Sequence, residues 1–401
     1  MIEQQACRAL CALCVLALLG AGCSAPRDTD DAATPSPGVT SGGVSASAGT
    51  GGMPATSASG TGGRASPAAG TSGSASDGGR ASVGGTNAGS GGMPAQPPTG
   101  TCDYPHDKLV DVTSPGELVR ALGSASAGTM IRLPDAELRG AFTATASGTA
   151  ERPIVLCGTR TAILSANATS AVITLAGDYW VLSGFSVSGG QKGVLLDGAS
   201  HDLLTSLSVH GTGNEGVHFR ANSADNTLEW SEVFDTGNAS PEFGEGVYVG
   251  SALAQWEKFT GSPTVPDRSD RNTIRNNKLG PNVRAELIDV KEGTTGGTIR
   301  DNGFDGAGIA PGGFADSWMD VKGNGYTVTG NQGVHAAADG FQVHVIEDGW
   351  GNANVFQKNR ADVNAEGYGF RISDGAKGNV VACDNVVTGA AAGLSNIGCK
   401  N

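Results

Sequence analysis

Gly216-Val-His-Phe-Arg220, Gly246-Val-Tyr-Val-Gly250, Leu287-Ile-Asp-Val-Lys291, Trp318-Met-Asp-Val-Lys322, Phe341-Gln-Val-His344 and Gly369-Phe-Arg-Ile-Ser373 repeat one short pattern. Apolar residues take alternate places in it: Val217 and Phe219, Val247 and Val249, Ile288 and Val290, Met319 and Val321, Phe341 and Val343, Phe370 and Ile372. A period of two buries one face of a β-strand and turns the other outward. The copies are unevenly spaced, and most are followed by a second short strand opening on Asn226, Gly297, Asn354 or Asn379. Rungs of a solenoid joined by loops of variable size give this pattern. The expectation is an all-β fold, a right-handed parallel β-helix over residues 102–401, with Asn and Gly in turns that need left-handed backbone angles. A β-sandwich or a propeller would show more regular strand lengths or a blade signature. Ser114 to Ser126, with Pro115 at its start, reads as a capping helix.

Aligning the rungs by their buried residues also aligns the outward ones. The first outward column reads His218, Tyr248, Asp289, Asp320, Gln342, Arg371, and the second reads Arg220, Gly250, Lys291, Lys322, His344, Ser373. Three places before the first column stand Glu215, Glu245 and Glu286, while the earlier rungs look bland, with Leu195 in the place of His218. Rungs stack about 4.8 Å apart, so Lys291 and Lys322 become neighbouring like charges. One reading is a solvated salt-bridge ladder with Glu286, Asp289 and Asp320, worth little to stability. The other is a site for an acidic polysaccharide. β-Elimination on a uronic acid needs its carboxylate neutralised, a base for the proton beside it, and an acid for the departing oxygen. A lysine crowded by a second lysine is expected to have its pKa pushed down toward the range of a base. The second cation, or a Ca²⁺ held by glutamates, would neutralise the substrate carboxylate.

Glu286-Leu-Ile-Asp-Val-Lys291 resembles the Glu-x-x-x-x-Lys signature of family 6 polysaccharide lyases, the alginate lyase and chondroitinase B group. The resemblance implies that Glu286 serves the Ca²⁺ and substrate site and that Lys291 is the Brønsted base; Glu286 with Glu245 as metal ligands would hold the Ca²⁺, or orient Lys291. The family's catalytic arginine falls one rung on, where this chain has Val321-Lys322-Gly323, followed by Val328 in the next strand. Lys322 would then act as acid or carboxylate neutraliser. Arg284 stands where the family has another glutamate, which removes one metal ligand and adds a cation. Glu117 to Leu122, Gly128 to Leu133 and Ser147 to Ile154 are also similar, in a pattern that many β-helix families share. His218, Arg220, Tyr248, Asp289, Asp320, Gln342, His344 and Arg371 would line the subsites.

Residues 1–23 read as an export signal: Arg8 gives a thin positive start and Ala9 to Leu19 an apolar run too short to span a bilayer. Gly20-Ala-Gly-Cys23 resembles a lipoprotein processing site, with Cys23 as the lipidated residue. Residues 24–101 are nearly all Gly, Ser, Ala, Thr and Pro and read as a disordered tether. As a flexible coil it would span roughly 50 Å. Past the signal and Cys23, the cysteines left are Cys102, Cys157, Cys383 and Cys399, an even number suited to two disulfides in an oxidising compartment. Pairing Cys102 with Cys157 and Cys383 with Cys399 would staple both ends of the domain, among three arithmetically open connectivities. The expected location is extracytoplasmic, at the cell surface or outer membrane, with membrane contact through the lipid anchor alone.

A net charge of -13 argues against nucleic acid as a partner. The chain is read as a monomer. Trp256 lies in an insertion, Ser251 to Asp270, that overhangs the groove, where it would stack on a sugar or anchor the loop. Trp180 reads as core and Trp350 as a turn anchor; His210 and His335 fall in turns, and Asp316 caps a turn or reaches Lys322. Asn167-Ala-Thr169 and Asn238-Ala-Ser240 match the glycosylation sequon by chance. Two rival functions remain: a surface glycan-binding adhesin without chemistry, and a glycoside hydrolase using Asp289 and Asp320 as its carboxylate pair.

Overall fold

A computed structural model describes residues 102–310 and 315–401 of the chain. The export signal with Cys23 and the tether fall outside these residues. The described part is a parallel β-helix of about eleven turns, with one sheet of eleven strands and two of ten. Every pairing between strands is parallel and joins one turn to the next.

The ten-stranded sheet that carries the repeated pattern is the site sheet. Its central strands are Val194–Asp197, Val217–Arg220, Val247–Val249, Ile288–Val290, Ser317–Val321, Asp339–Val343 and Tyr368–Ile372. The register puts Val217 beside Val247, Val247 beside Ile288, Ile288 beside Met319 and Met319 beside Phe341. These inward side chains are fully buried. Toward the C-terminal end the core turns aromatic: Phe341 stacks on Phe370 at 5.0 Å, with Trp318 and Phe356 against its edges.

The second strands lie in the eleven-stranded sheet, at Thr227–Glu229, Thr298–Arg300, Val355–Gln357 and Val380–Val381. A third strand in each turn was not legible from the sequence. It is about three residues long and buries one central side chain, such as Val209, Val233 or Phe304, which leaves no alternation to detect. His210 therefore ends a strand, Ser208–His210, and stacks on Phe234, whereas His335 does follow a strand and meets Asp305. Between the second and third strands runs a ladder of Asn277, Asn302, Asn331, Asn359 and Asn385. The Asn277 Oδ1 accepts the Ser231 N–H, and each later Oδ1 accepts the backbone N–H of the member before it, so buried turns keep their hydrogen bonds. Asn276, Asp301, Gly330 and Lys358, each just before a ladder residue, hold left-handed angles.

Helix α1 (Pro115–Gly123) closes the N-terminal end, capped by Ser114 and packing Leu118, Ala121 and Leu122 inward. Disulfides join Cys102 to Cys157 and Cys383 to Cys399, the pairing that staples each end.

Candidate active site

The aligned columns run side by side across the site sheet. The register places His218 beside Tyr248, Tyr248 beside Asp289, Asp289 beside Asp320, and Asp320 beside Gln342 and then Arg371. The alternative of a solvated salt-bridge ladder is overturned. His218, Asp289, Asp320 and Gln342 are buried, as are Glu215, Glu245, Glu286 and Lys322; of the first column only Arg371 is exposed. Several of the charged side chains pair with one another, Lys192 with Glu215, and Lys291 and Lys322 with Asp289 and Asp320. A second correction concerns the glutamate column. Lys192 precedes Glu215 in that column and binds it at 2.9 Å, so the rung before His218 is not bland.

The centre is an alternating chain of charges across three rungs. Lys291 Nζ lies 2.6 Å from Asp289 Oδ2, and Lys322 Nζ donates to Asp289 Oδ1 at 2.7 Å. Lys322 also meets Asp320 Oδ2 at 2.7 Å, and the same oxygen pairs with His344 Nδ1 at 2.8 Å. Lys291 further lies 4.7 Å from the centre of the half-buried Tyr248 ring, whose other neighbour is His218 at 4.6 Å. His218 sits between Gly250 O at 3.0 Å and Glu215 Oε1 at 3.4 Å.

These contacts reverse the expected charge state of Lys291. Burial, the largest influence, lowers its pKa, but the carboxylates of Asp289, Glu245 and Glu286 outweigh burial and hold it above the usual lysine range. Lys322 is raised likewise, against burial, by Asp289 and Asp320. In the resting site both are ammonium ions; the neighbouring lysine repels less than the carboxylates attract. Burial pulls His344 down, yet Asp320 draws it above its ordinary value.

The glutamates divide in two. Burial raises Glu215, but Lys192 and His218 hold it well below the usual carboxylate range. Glu245 is raised well above that range by burial and by Glu215, Glu286 and Asp289. Burial and Asp289 push Glu286 up to about 7. Glu245, Glu286 and Asp289 offer oxygens within 4.8 Å of one another, and Glu245 Oε2 is buried with no hydrogen-bond partner. Hard oxygen donors with an orphaned buried carboxylate oxygen fit Ca²⁺. Arg284 points away from these oxygens toward Gly308 O, at 3.4 Å.

Asp289 and Asp320 share the Lys322 ammonium, which leaves neither as an independent partner for a hydrolase pair. Asp316 lies near Gln342 rather than on Lys322, and burial raises its pKa against the lowering by the Gln342 hydrogen bond. Trp256 is 4% exposed and donates to Ser251 O, so it anchors the insertion instead of facing sugar. Trp180 is core, and Trp350 closes a turn onto Glu347 O. Lys192 and Asp339 were missed; extending the glutamate column by one rung backward and two forward reaches both.

The fold is thus a parallel β-helix with charged residues massed on one sheet. No family model and no curated protein matches the sequence. Among solved structures, an alginate lyase from Paenibacillus sp. str. FPU-7 is 33% identical with a TM-score of 0.68, over 72% of this chain and 98% of that one. Pectate lyase Pel9A shares the fold at 14% identity and a TM-score of 0.52, over 72% of this chain and 80% of that one. A mannuronic acid specific family 6 lyase from human gut microbiota aligns at 12% identity and a TM-score of 0.46, over 66% of each chain. The chain belongs to the family of the Paenibacillus enzyme, among the parallel β-helix polysaccharide lyases.

Proposed function

We propose that the protein is an extracytoplasmic lyase that cleaves a uronic acid polysaccharide by β-elimination, with alginate the first polymer to test. The observation that carries this is the Lys291–Asp289–Lys322–Asp320–His344 chain on the site sheet of a fold whose 33% identical relative is an alginate lyase. Lys322, fixed between two aspartates, presents a cation to the substrate carboxylate and makes the adjacent C5 proton more acidic. Lys291 is the base in its neutral form. Its nitrogen takes the C5 proton, the freed electron pair forms the C4–C5 double bond, and the bond to O4 breaks with that oxygen gaining a proton. Because the resting Lys291 is an ammonium, its proton must first leave, and activity should rise toward alkaline pH. Tyr248, whose ring lies 4.7 Å from Lys291 Nζ, would protonate O4.

Glu245, Glu286 and Asp289 would hold a Ca²⁺ ion. Bound there, it would supply positive charge for the substrate carboxylate. His218, Arg220, Gln342, His344 and Arg371 line the subsites in this reading. The two disulfides suit an oxidising compartment, and we assign residues 1–23 to export with Cys23 as the lipid anchor. The test is ultraviolet absorbance of unsaturated uronate on alginate, chondroitin, dermatan, pectate and heparan, with and without Ca²⁺. The reading predicts a signal on one polymer that Lys291→Ala abolishes; no signal on any polymer favours the adhesin.

A further inference from the structure

The insertion between the strands Val247–Val249 and Thr273–Arg275 folds back over an earlier rung and is pinned there. Asp267, fully buried, accepts the N–H groups of Ala221 and Asn222 at 2.9 and 2.8 Å and the Ser251 hydroxyl at 2.5 Å. Glu292 accepts the Leu253 N–H at 2.6 Å, and Trp256 seals the loop from within. The short helix α2 (Trp256–Thr260) thereby sets Phe259 against Arg220, with the guanidinium carbon 4.5 Å from the ring centre. On another edge Asp197 accepts from Arg220 Nε and Nη2 at 3.3 and 3.2 Å. A planar, weakly hydrated guanidinium stacks well on an aromatic face. Held by ring and carboxylate, it gives up little side-chain freedom when an anion docks.

Arg220 occupies the same outward column as Lys291, two rungs earlier, a separation of about 9.6 Å along the axis. The rung between them contributes Gly250, which has no side chain to stand between Arg220 and Lys291 in the column. A Cβ at that position would lie 2.6 Å from Thr294 Cγ2 and 3.4 Å from Lys291 Cβ, and the backbone there is left-handed at φ +88°. The gap is close to the length of two pyranose residues in an extended chain.

We propose that Arg220 binds the carboxylate of the uronic acid residue two places along the chain from the one that reacts at Lys291, and that Phe259 is the positioning residue holding its guanidinium. This rests on the lyase reading and adds to it a subsite built by the insertion. The subsite acts only on oligomers long enough to reach it, so the quantity to measure is the ratio of kcat/KM on a long oligouronate to that on a short one. Phe259→Ala and Arg220→Ala are expected to lower this ratio roughly tenfold through KM, the usual effect of losing one charge-assisted contact. Phe259→Tyr, which keeps the ring, should restore it. A ratio within twofold of wild type in both alanine variants overturns the proposal, as does an equal loss on both lengths, which marks a merely structural role. If wild type forms no unsaturated product, the lyase reading itself fails. Calorimetric binding of the long oligomer to the same variants then still decides for or against the subsite.

Discussion

Asp202 stands at the head of a ladder whose next members are Asn226 and Asn272. It is 2% exposed; Oδ1 accepts the Trp180 N–H at 2.7 Å, and Oδ2 is buried with no partner. Burial pushes its pKa up to about 8, against the Trp180 hydrogen bond and with help from Asp178. An unfolded aspartate titrates near 3.9. A carboxyl raised on folding costs nothing below its unfolded pKa. The cost grows as pH rises from about 4 and levels off above about 8. At about 1.36 kcal/mol per unit, it approaches 4 kcal/mol at pH 7 as a ceiling, since local relaxation and water lower it. Asparagine fills the same volume and carries no proton to lose. Asp202→Asn should therefore stabilise the protein by about 1–4 kcal/mol at pH 7 and by nearly nothing at pH 4. Guanidinium unfolding of both proteins at pH 4, 5.5, 7 and 8.5 checks this. A variant less stable than wild type at pH 7, or a difference that ignores pH, would refute the reasoning.

Asp289→Asn leaves the buried Lys322 and half-buried Lys291 ammonium ions without their shared partner and should cost about 3–5 kcal/mol at pH 7, measured by denaturant unfolding. The sign follows from lysines raised on folding: their contribution is complete below the unfolded lysine pKa and is lost only in strong alkali. In the same variant the alkaline rise of the rate should move to lower pH, because Lys291 loses the carboxylate that keeps it protonated. Asn331→Ala orphans the Asn302 N–H and the Ile299 carbonyl, and should cost about 2–3 kcal/mol in the same assay. Added Ca²⁺ should raise the melting temperature of wild type but not of Glu245→Gln, which loses one of the three clustered carboxylates. An equal rise in both would place the ion elsewhere.

The fold was legible because its inward residues alternate: Val247 and Val249, or Ile288 and Val290, announce a strand with one buried face. The outward columns followed from that alignment, and the register confirms them rung by rung. The short third strands stayed hidden because one buried residue carries no period. The charge state of Lys291 was misread for a similar reason. Sequence shows that Lys322 is its neighbour in the column, but only the side-chain geometry shows Asp289 lying between the two ammonium groups. Phe259 was overlooked beside Trp256 because the larger aromatic drew the inference, while folding turned Trp256 inward and Phe259 onto Arg220.

The central claim is that the charged columns of the site sheet perform an elimination. The most direct measurement is the mass of the oligosaccharides that wild type releases from alginate. The account predicts fragments lighter by one water than hydrolysis products, with an unsaturated uronate at the non-reducing end, and none from Lys291→Ala. Saturated fragments of full hydrolytic mass, or unsaturated ones formed equally well by Lys291→Ala, would contradict it.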